Sequence, residues 1–301
     1  MEAWIYIAVA AAAFQTLRFM LQKHLSMGTL STGGATFARF IYSAPIITTL
    51  AVGYLLWRGA EVPSFSGLFW VYALSGGLAQ ILATWCVVAL FQQRNFAVGI
   101  TFKKTEVLQT ALVGLIVLGD KISTAGFLAI LIGLVGVLVL SETPGGDGES
   151  WAKRVVNKGV GLGLLSGVFF AVSAVGYRGA TLEIASDDPL LRSSVSLAVV
   201  TLCQTLGMGL WLAWKEKGEI GRVIAARRTA IWMGVTGMAG SLCWFTAFTL
   251  QNAAYVFAVG QVEVIFSLAA SALFFREKIA RKEFIGIALI TLSILYLVVA
   301  G

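Results

Sequence analysis

The sequence has few charged residues. Only 12% of its 301 residues are Asp, Glu, Lys or Arg, whereas 58% are hydrophobic. A soluble globular protein has roughly 25% charged residues. So few charges cannot cover a surface that faces water, which excludes an ordinary soluble domain.

Histidine and cysteine are also scarce. The chain has one histidine, His24, and three cysteines, Cys86, Cys203 and Cys243. All three cysteines lie in apolar runs, where a thiol acts as a small hydrophobic side chain. We therefore expect no disulfide framework, no metal site and no cofactor. A membrane enzyme is disfavoured because the sequence has one histidine, scattered cysteines and no HExxH-like motif.

The net charge of +7 does not indicate a nucleic-acid partner. In membrane proteins an excess of Lys and Arg in the loops sets the orientation of the chain. Basic loops between apolar segments explain this charge without any nucleic acid.

Long apolar segments dominate what remains. An apolar run of about 20 residues spans the hydrocarbon core of a bilayer as a helix. The sequence predicts an all-α integral membrane protein with ten transmembrane helices, at about 3–22, 34–56, 67–91, 96–118, 122–140, 159–181, 189–214, 229–250, 253–275 and 282–300.

The two halves of the chain repeat at one constant spacing, which we call the repeat offset. It aligns Glu106 with Glu263, Asn95 with Asn252, and the turn 120–122 with 277–279. A polar linker at 142–158 would separate a first repeat, 1–141, from a second, 159–301. Five spans per repeat make the second copy inverted. Transporters built in this way hold their site between the repeats, near the middle of the bilayer.

The segments "KKTEV…LGDKIS" and "VGQVEVIFSLAASALFFREKIA" resemble the EamA-type members of the drug/metabolite transporter (DMT) superfamily. The resemblance implies a 5+5 inverted repeat around a central cavity, lined by helices 1–4 and 6–9. It also implies alternating-access transport of small metabolites such as amino acids, often as an exporter, in a bacterial inner (plasma) membrane. Ten helices can enclose a cavity in one chain, so we expect a monomer among membrane lipids. Val107 and Val264 stand where many members have proline, so no proline breaks these helices.

Charges in the middle of two apolar segments are the strongest candidates for a site. Glu106 and Glu263 each lie about ten residues into a segment, roughly 15 Å deep. A charge at this depth costs about 2.5–3.5 kcal/mol and is usually functional. A glutamate in a cavity could couple transport to protons, or Glu106 could form a structural ion pair with Lys103 or Lys104. Gln261 takes the place of Lys104 in the second half.

Other polar and aromatic residues could complete the lining of the cavity. Arg39 and Arg18 could either contact an anionic group or extend to the lipid headgroups. Trp85, Trp244, Tyr42 and Tyr177 could contact the substrate or simply pack. A cavity of mixed charge would suit a zwitterionic or anionic metabolite.

Two functions remain open at this point. The first is a secondary active transporter of a small polar or amphipathic metabolite, coupled to protons. The alternative is a flippase for a lipid-linked or lipid-phosphate substrate, whose headgroup Arg39, Lys103 and Lys104 would bind.

Overall fold

The computed structural model describes residues 2–28, 30–91, 103–140, 158–266, 269 and 281–300. In this part of the chain the regular elements are all helices. They are α1 (Ala3–Gly28), α2 (Thr32–Arg58), α3 (Gly67–Phe91), α4 (Glu106–Leu118), α5 (Thr124–Leu140), α6 (Lys158–Leu182), α7 (Pro189–Lys215), α8 (Glu219–Ala225), α9 (Arg227–Leu250), α10 (Ala253–Gly260) and α11 (Arg281–Ala300).

The helices have the length and surface of a membrane protein. Six of those described, α1, α2, α3, α6, α7 and α9, are long and apolar enough to cross a bilayer. Large apolar side chains such as Leu56, Trp57 and Leu210 are more than 70% exposed. An apolar outer surface of this kind suits contact with lipid rather than water.

The repeat offset that aligns Glu106 with Glu263 recurs in the bounds of the helices. α2 and α7 begin at Thr32 and Pro189 and end at Arg58 and Lys215, and both pairs of bounds are separated by this offset. α5 and α11 also begin at positions separated by the repeat offset. Residues 142–157 of the predicted linker, Asn95 and the turn 277–279 lie outside the described residues.

Long helices from the two halves of the chain pack side by side. α3 packs along α6, α1 along α9, α5 along α11, and α2 against α7. A side chain at Gly176 of α6 would meet the backbone of Gly76 and the carbonyl of Tyr72, both on α3. Small residues allow this close approach, as in other membrane helix pairs.

Each candidate glutamate follows a break in helical structure. A turn at Lys104 and Thr105 precedes α4, and a turn at Gln261 separates α10 from the helical residues 262–266. At the second break, the N–H of Gln261 bonds to the oxygen of Ala258, three residues back. The breaks occur although neither site has a proline, because a tightened turn interrupts the helix instead.

Candidate functional site

An ion pair joins the two halves of the chain at these breaks. Lys104 Nζ lies 2.9 Å from Glu263 Oε2, and both side chains are buried. Gln15 of α1 donates a hydrogen bond from Nε2 to the same carboxylate oxygen, at 3.0 Å. Since the described residues around Glu263 on its own helix include no cation, its counter-charge comes from the other half.

A second ion pair lies within the first half. Lys103 Nζ is 3.0 Å from Glu106 Oε1, at the i,i+3 spacing that the sequence predicts. The ammonium group also lies 4.8 Å from the centre of the Phe170 ring, which adds a cation–π contact. Glu106 is the first residue of α4, where the helix dipole favours a negative charge. Both lysines of the motif are therefore committed to carboxylates.

Arg39 is buried but has no carboxylate beside it. Its guanidinium donates to Thr84 Oγ1 at 3.2 Å and to Ser241 Oγ at 2.9 Å. Among the described residues it makes no ion pair within 4.0 Å. Arg18 is also buried and donates to Gln22 Oε1 at 2.9 Å. Both arginines are therefore enclosed by protein rather than exposed at its surface.

A narrow cavity of about 30 Å³ lies between α1, α2, α3, α6, α9 and α10. Its polar wall is formed by Gln15, Arg39, Gln80, Ser173, Tyr177 and Ser241. Its apolar wall is formed by Phe170, Ala174, Trp244, Phe245, Phe248 and Phe257. The cavity brings together three predicted site residues, Arg39, Tyr177 and Trp244.

Gln15 connects this cavity to the ion pair between the halves. Trp244 Nε1 donates to Gln15 Oε1 at 3.1 Å, while Gln15 Nε2 donates to Glu263. Both ends of the amide are used, so its orientation is fixed. The Trp244 ring stacks on Phe248 and meets Phe257 edge-on. Gln15 therefore hydrogen-bonds a residue of the cavity wall and the carboxylate of the ion pair at once.

Tyr177 is held on the opposite wall by a second amide. Gln204 Nε2 lies 3.2 Å from Tyr177 Oη and 2.9 Å from Gln80 Oε1. The Tyr177 ring packs 4.2 Å from that of Phe245. The tyrosine thus contributes a fixed hydroxyl to the wall.

Besides the four residues of the two ion pairs, three predicted site residues do not line the cavity. Trp85 packs edge-on against Trp211, and both border a groove on the outer surface. Tyr42 donates a hydrogen bond from its hydroxyl to the backbone oxygen of Val223, in α8. Gln261 borders a smaller cavity together with Lys104. Trp85, Tyr42 and Gln261 therefore do not contribute to the lining of the central cavity.

Polar contacts close the two ends of α2. At its start, Ser31 N–H donates to Glu219 Oε1 at 2.7 Å and Ser31 Oγ to Glu216 Oε2 at 2.5 Å. At its end, Tyr54 Oη donates to Asp188 Oδ2 at 2.7 Å, and Arg58 lies 3.5 Å from the same oxygen. We call these contacts the Ser31 latch and the Asp188 latch.

The two latches have the same plan. Ser31 and Asp188 are separated by the repeat offset, and each is the N-cap of its helix, α2 or α7. Each cap is held by residues at or beyond the far end of the other helix. Since α2 has 27 residues, the latches stand about 40 Å apart.

Sequence reasoning missed several polar residues of the cavity, above all Gln15, Gln80 and Ser241. The signal for Gln15 was available, because an amide in the middle of an apolar helix needs partners. Gln80 and Thr84 stand at i,i+4 spacing on one face of α3, which also marks a polar stripe.

The second half of the chain is similar to a known family. Residues 157–299 match the model of the EamA-like transporter family. This half of the chain is therefore similar to a family of membrane transporters that is part of the DMT superfamily. The apolar helices indicate a multi-pass membrane protein.

One solved structure shares the fold of this chain over almost its entire length. Described as "Crystal structure of protein", it aligns with a TM-score of 0.70 over 97% of this chain and 94% of its own. The two sequences are 16% identical, so the likeness concerns the fold alone. No curated protein matches this chain.

Proposed function

We propose that this protein is a secondary transporter that exports a small polar or amphipathic metabolite, such as an amino acid, by alternating access. It would work as a monomer in a bacterial inner membrane. The observation that carries the proposal is the Lys104–Glu263 pair. It bridges the two halves and is one hydrogen bond away from a residue that lines the central cavity.

The proposed architecture is ten spans in a 5+5 inverted repeat. At the repeat offset, α3 corresponds to α9 and α1 corresponds to α6. Exchanging each helix with its counterpart therefore converts the α3–α6 contact into the α9–α1 contact. The same exchange leaves the pairs α2–α7 and α5–α11 unchanged. Because the same pattern of helix contacts is obtained after the exchange, the packing supports two equivalent units around one cavity.

Alternating access would open one latch at a time. Each latch is built from a few charged hydrogen bonds at one end of α2, so it can break without disturbing the apolar packing between. Opening the Ser31 latch would admit solute from one side, and opening the Asp188 latch from the other.

Proton coupling would act at Glu263. Protonation would remove the charge that holds Lys104 and weaken the hydrogen bond from Gln15. Since Gln15 also holds Trp244, proton binding and the shape of the cavity wall would be linked.

The flippase alternative needs a group of cations available to a phosphate headgroup. Lys103 and Lys104 are both paired with glutamates, which leaves Arg39 alone of the three predicted cations. This distribution favours a transporter of small soluble metabolites.

The test is counterflow in proteoliposomes containing the full chain. Vesicles would be loaded in turn with amino acids, organic acids, nucleosides or short-chain lipid phosphates, and uptake of labelled solute would be measured with and without a pH gradient. Counterflow of a soluble metabolite that responds to the gradient supports the proposal. Movement of lipid phosphates alone would replace it with the flippase.

A further inference from the structure

The interior around the cavity carries an excess of positive charge. The described residues bury four cations there against two carboxylates: Arg18, Arg39, Lys103 and Lys104 against Glu106 and Glu263. The two lysines account for both carboxylates. Neither arginine has a carboxylate within 4.0 Å among the described residues, and a buried charge without an adjacent counter-charge is costly.

The two arginines converge on the same place. A Cβ at Gly237 of α9 would lie 3.3 Å from Arg18 Cδ and 3.3 Å from Arg39 Cγ. The two side chains therefore lie side by side against that glycine. Of the two, Arg39 borders the cavity.

We propose that Arg39 binds the carboxylate of the transported solute, while the apolar part of the solute lies against Trp244, Phe248 and Phe257. This assignment rests on the proposed function and narrows its substrate class to amphipathic monocarboxylates. The solute then brings the negative charge that the interior lacks.

The donors of Arg39 fit this role. A guanidinium carries five N–H donors in a planar fork that matches a carboxylate. Thr84 and Ser241 accept one hydrogen bond each, and both are neutral. The fork is thereby oriented without being neutralised, so it can still bind an anion.

The rest of the cavity selects the body of the solute and excludes cations. Four aromatic residues of α9 and α10 form one continuous apolar wall: Trp244, Phe245, Phe248 and Phe257. A cationic solute would need a carboxylate of its own, yet Glu263 already binds Lys104 and Gln15. A solute with an ammonium group and no carboxylate would also meet the charge of Arg39 directly.

The experiment compares three ligands that share one aromatic body. Binding of 3-phenylpropanoate, 3-phenylpropanamide and 3-phenylpropylamine to the full chain in lipid nanodiscs would be measured by calorimetry. We expect the carboxylate to bind about 10- to 100-fold more tightly than the amide, as a charged hydrogen bond predicts, and the amine not to bind. Equal binding of acid and amide, tighter binding of the amine, or preference for phenyl phosphate would overturn the assignment.

Variants locate the effect. Arg39→Gln should abolish the preference for the carboxylate, and Arg39→Lys should keep part of it because the charge remains. Arg192→Gln removes the same charge from a residue that binds only the oxygen of Thr181 among the described residues, so it should leave the preference intact. A preference that persists in Arg39→Gln would contradict the proposal.

Stability of the ligand-free protein provides a second readout. Removing a cation that lacks a counter-charge should leave the unfolding temperature of Arg39→Gln unchanged or raised. A large decrease would reveal a structural counter-charge and overturn the inference.

The two proposals can fail separately. Carboxylate binding at Arg39 without any counterflow would contradict the transport function and leave the anion site standing. Counterflow of neutral or cationic solutes that is unaffected by Arg39→Gln would overturn the anion site and leave the transporter standing.

Discussion

Lys104 Nζ and Glu263 Oε2 lie 2.9 Å apart although 159 residues separate them in the chain. Each residue follows or forms part of a break in helical structure, and both side chains are buried. The pair is therefore a fixed point between the two halves of the protein.

Breaking this pair from one side should be costly. Glu263→Gln leaves Lys104 buried without its counter-charge, and losses of about 3–5 kcal/mol are typical of such changes. The double variant Lys104→Met/Glu263→Gln removes both charges and should recover most of the stability. Unfolding temperatures in detergent would show this, and a double variant no more stable than Glu263→Gln would contradict it.

Two glycines of α2 should respond to alanine in opposite ways. A Cβ at Gly34 would overlap the Glu219 carboxylate that holds Ser31, whereas Gly53 has open space around it. Gly34→Ala should lose about 1–3 kcal/mol by overpacking, while Gly53→Ala should gain about 0.5–1 kcal/mol from helix propensity. Thermal unfolding of the two variants provides the comparison, and equal shifts would argue against the Ser31 latch.

Acid should weaken the Asp188 latch. Burial alone would raise the pKa of Asp188, but hydrogen bonds from Tyr54 Oη and from two backbone N–H groups, together with the charge of Arg58, lower it below its ordinary value. A carboxyl group whose pKa is lowered by folding stabilises the fold at pH values above its pKa in the unfolded state, which is about 3.9. This stabilisation is lost as the pH falls further.

The unfolding temperature should therefore drop between about pH 5 and pH 3, partly because of Asp188. Asp188→Asn keeps a side-chain oxygen for the helix cap but cannot titrate. Its acid-induced drop should be smaller than that of the wild type. Identical pH profiles would show that this carboxylate has no such role.

Each latch should control access from its own end. Ser173 lines the cavity, so Ser173→Cys in a background without the three native cysteines reports access to a membrane-impermeant maleimide. Glu216→Ala should speed labelling from the Ser31 end, and Asp188→Ala from the other end. Loss of a charged hydrogen bond corresponds to about tenfold or more in population. Labelling that rises equally from both sides would contradict separate latches.

The sequence predicts the α2 and α7 spans and the repeat offset well, because hydropathy and spacing are local properties. It also identifies the buried charges, since Lys103, Lys104, Glu106 and Glu263 stand out in apolar runs. It does not determine which lysine binds which glutamate, because Lys104 and Glu263 meet only through tertiary packing.

Trp85 illustrates the remaining limit. α3 is apolar on nearly all sides, so periodicity alone did not reveal which face meets the cavity. Gln80 and Thr84 lie about 40° apart around the helix and mark that face, whereas Trp85 lies about 140° from Gln80. Arg39 contacts Thr84, and Trp85 faces Trp211 instead.

The most direct test of the account is the response of transport to a pH gradient in proteoliposomes containing the wild type, Glu263→Gln or Lys104→Met. We predict that the gradient accelerates counterflow in the wild type. In Glu263→Gln the acceleration should be lost while the protein remains folded and still binds solute. A Glu263→Gln protein that is accelerated as strongly as the wild type would contradict the role of the Lys104–Glu263 pair.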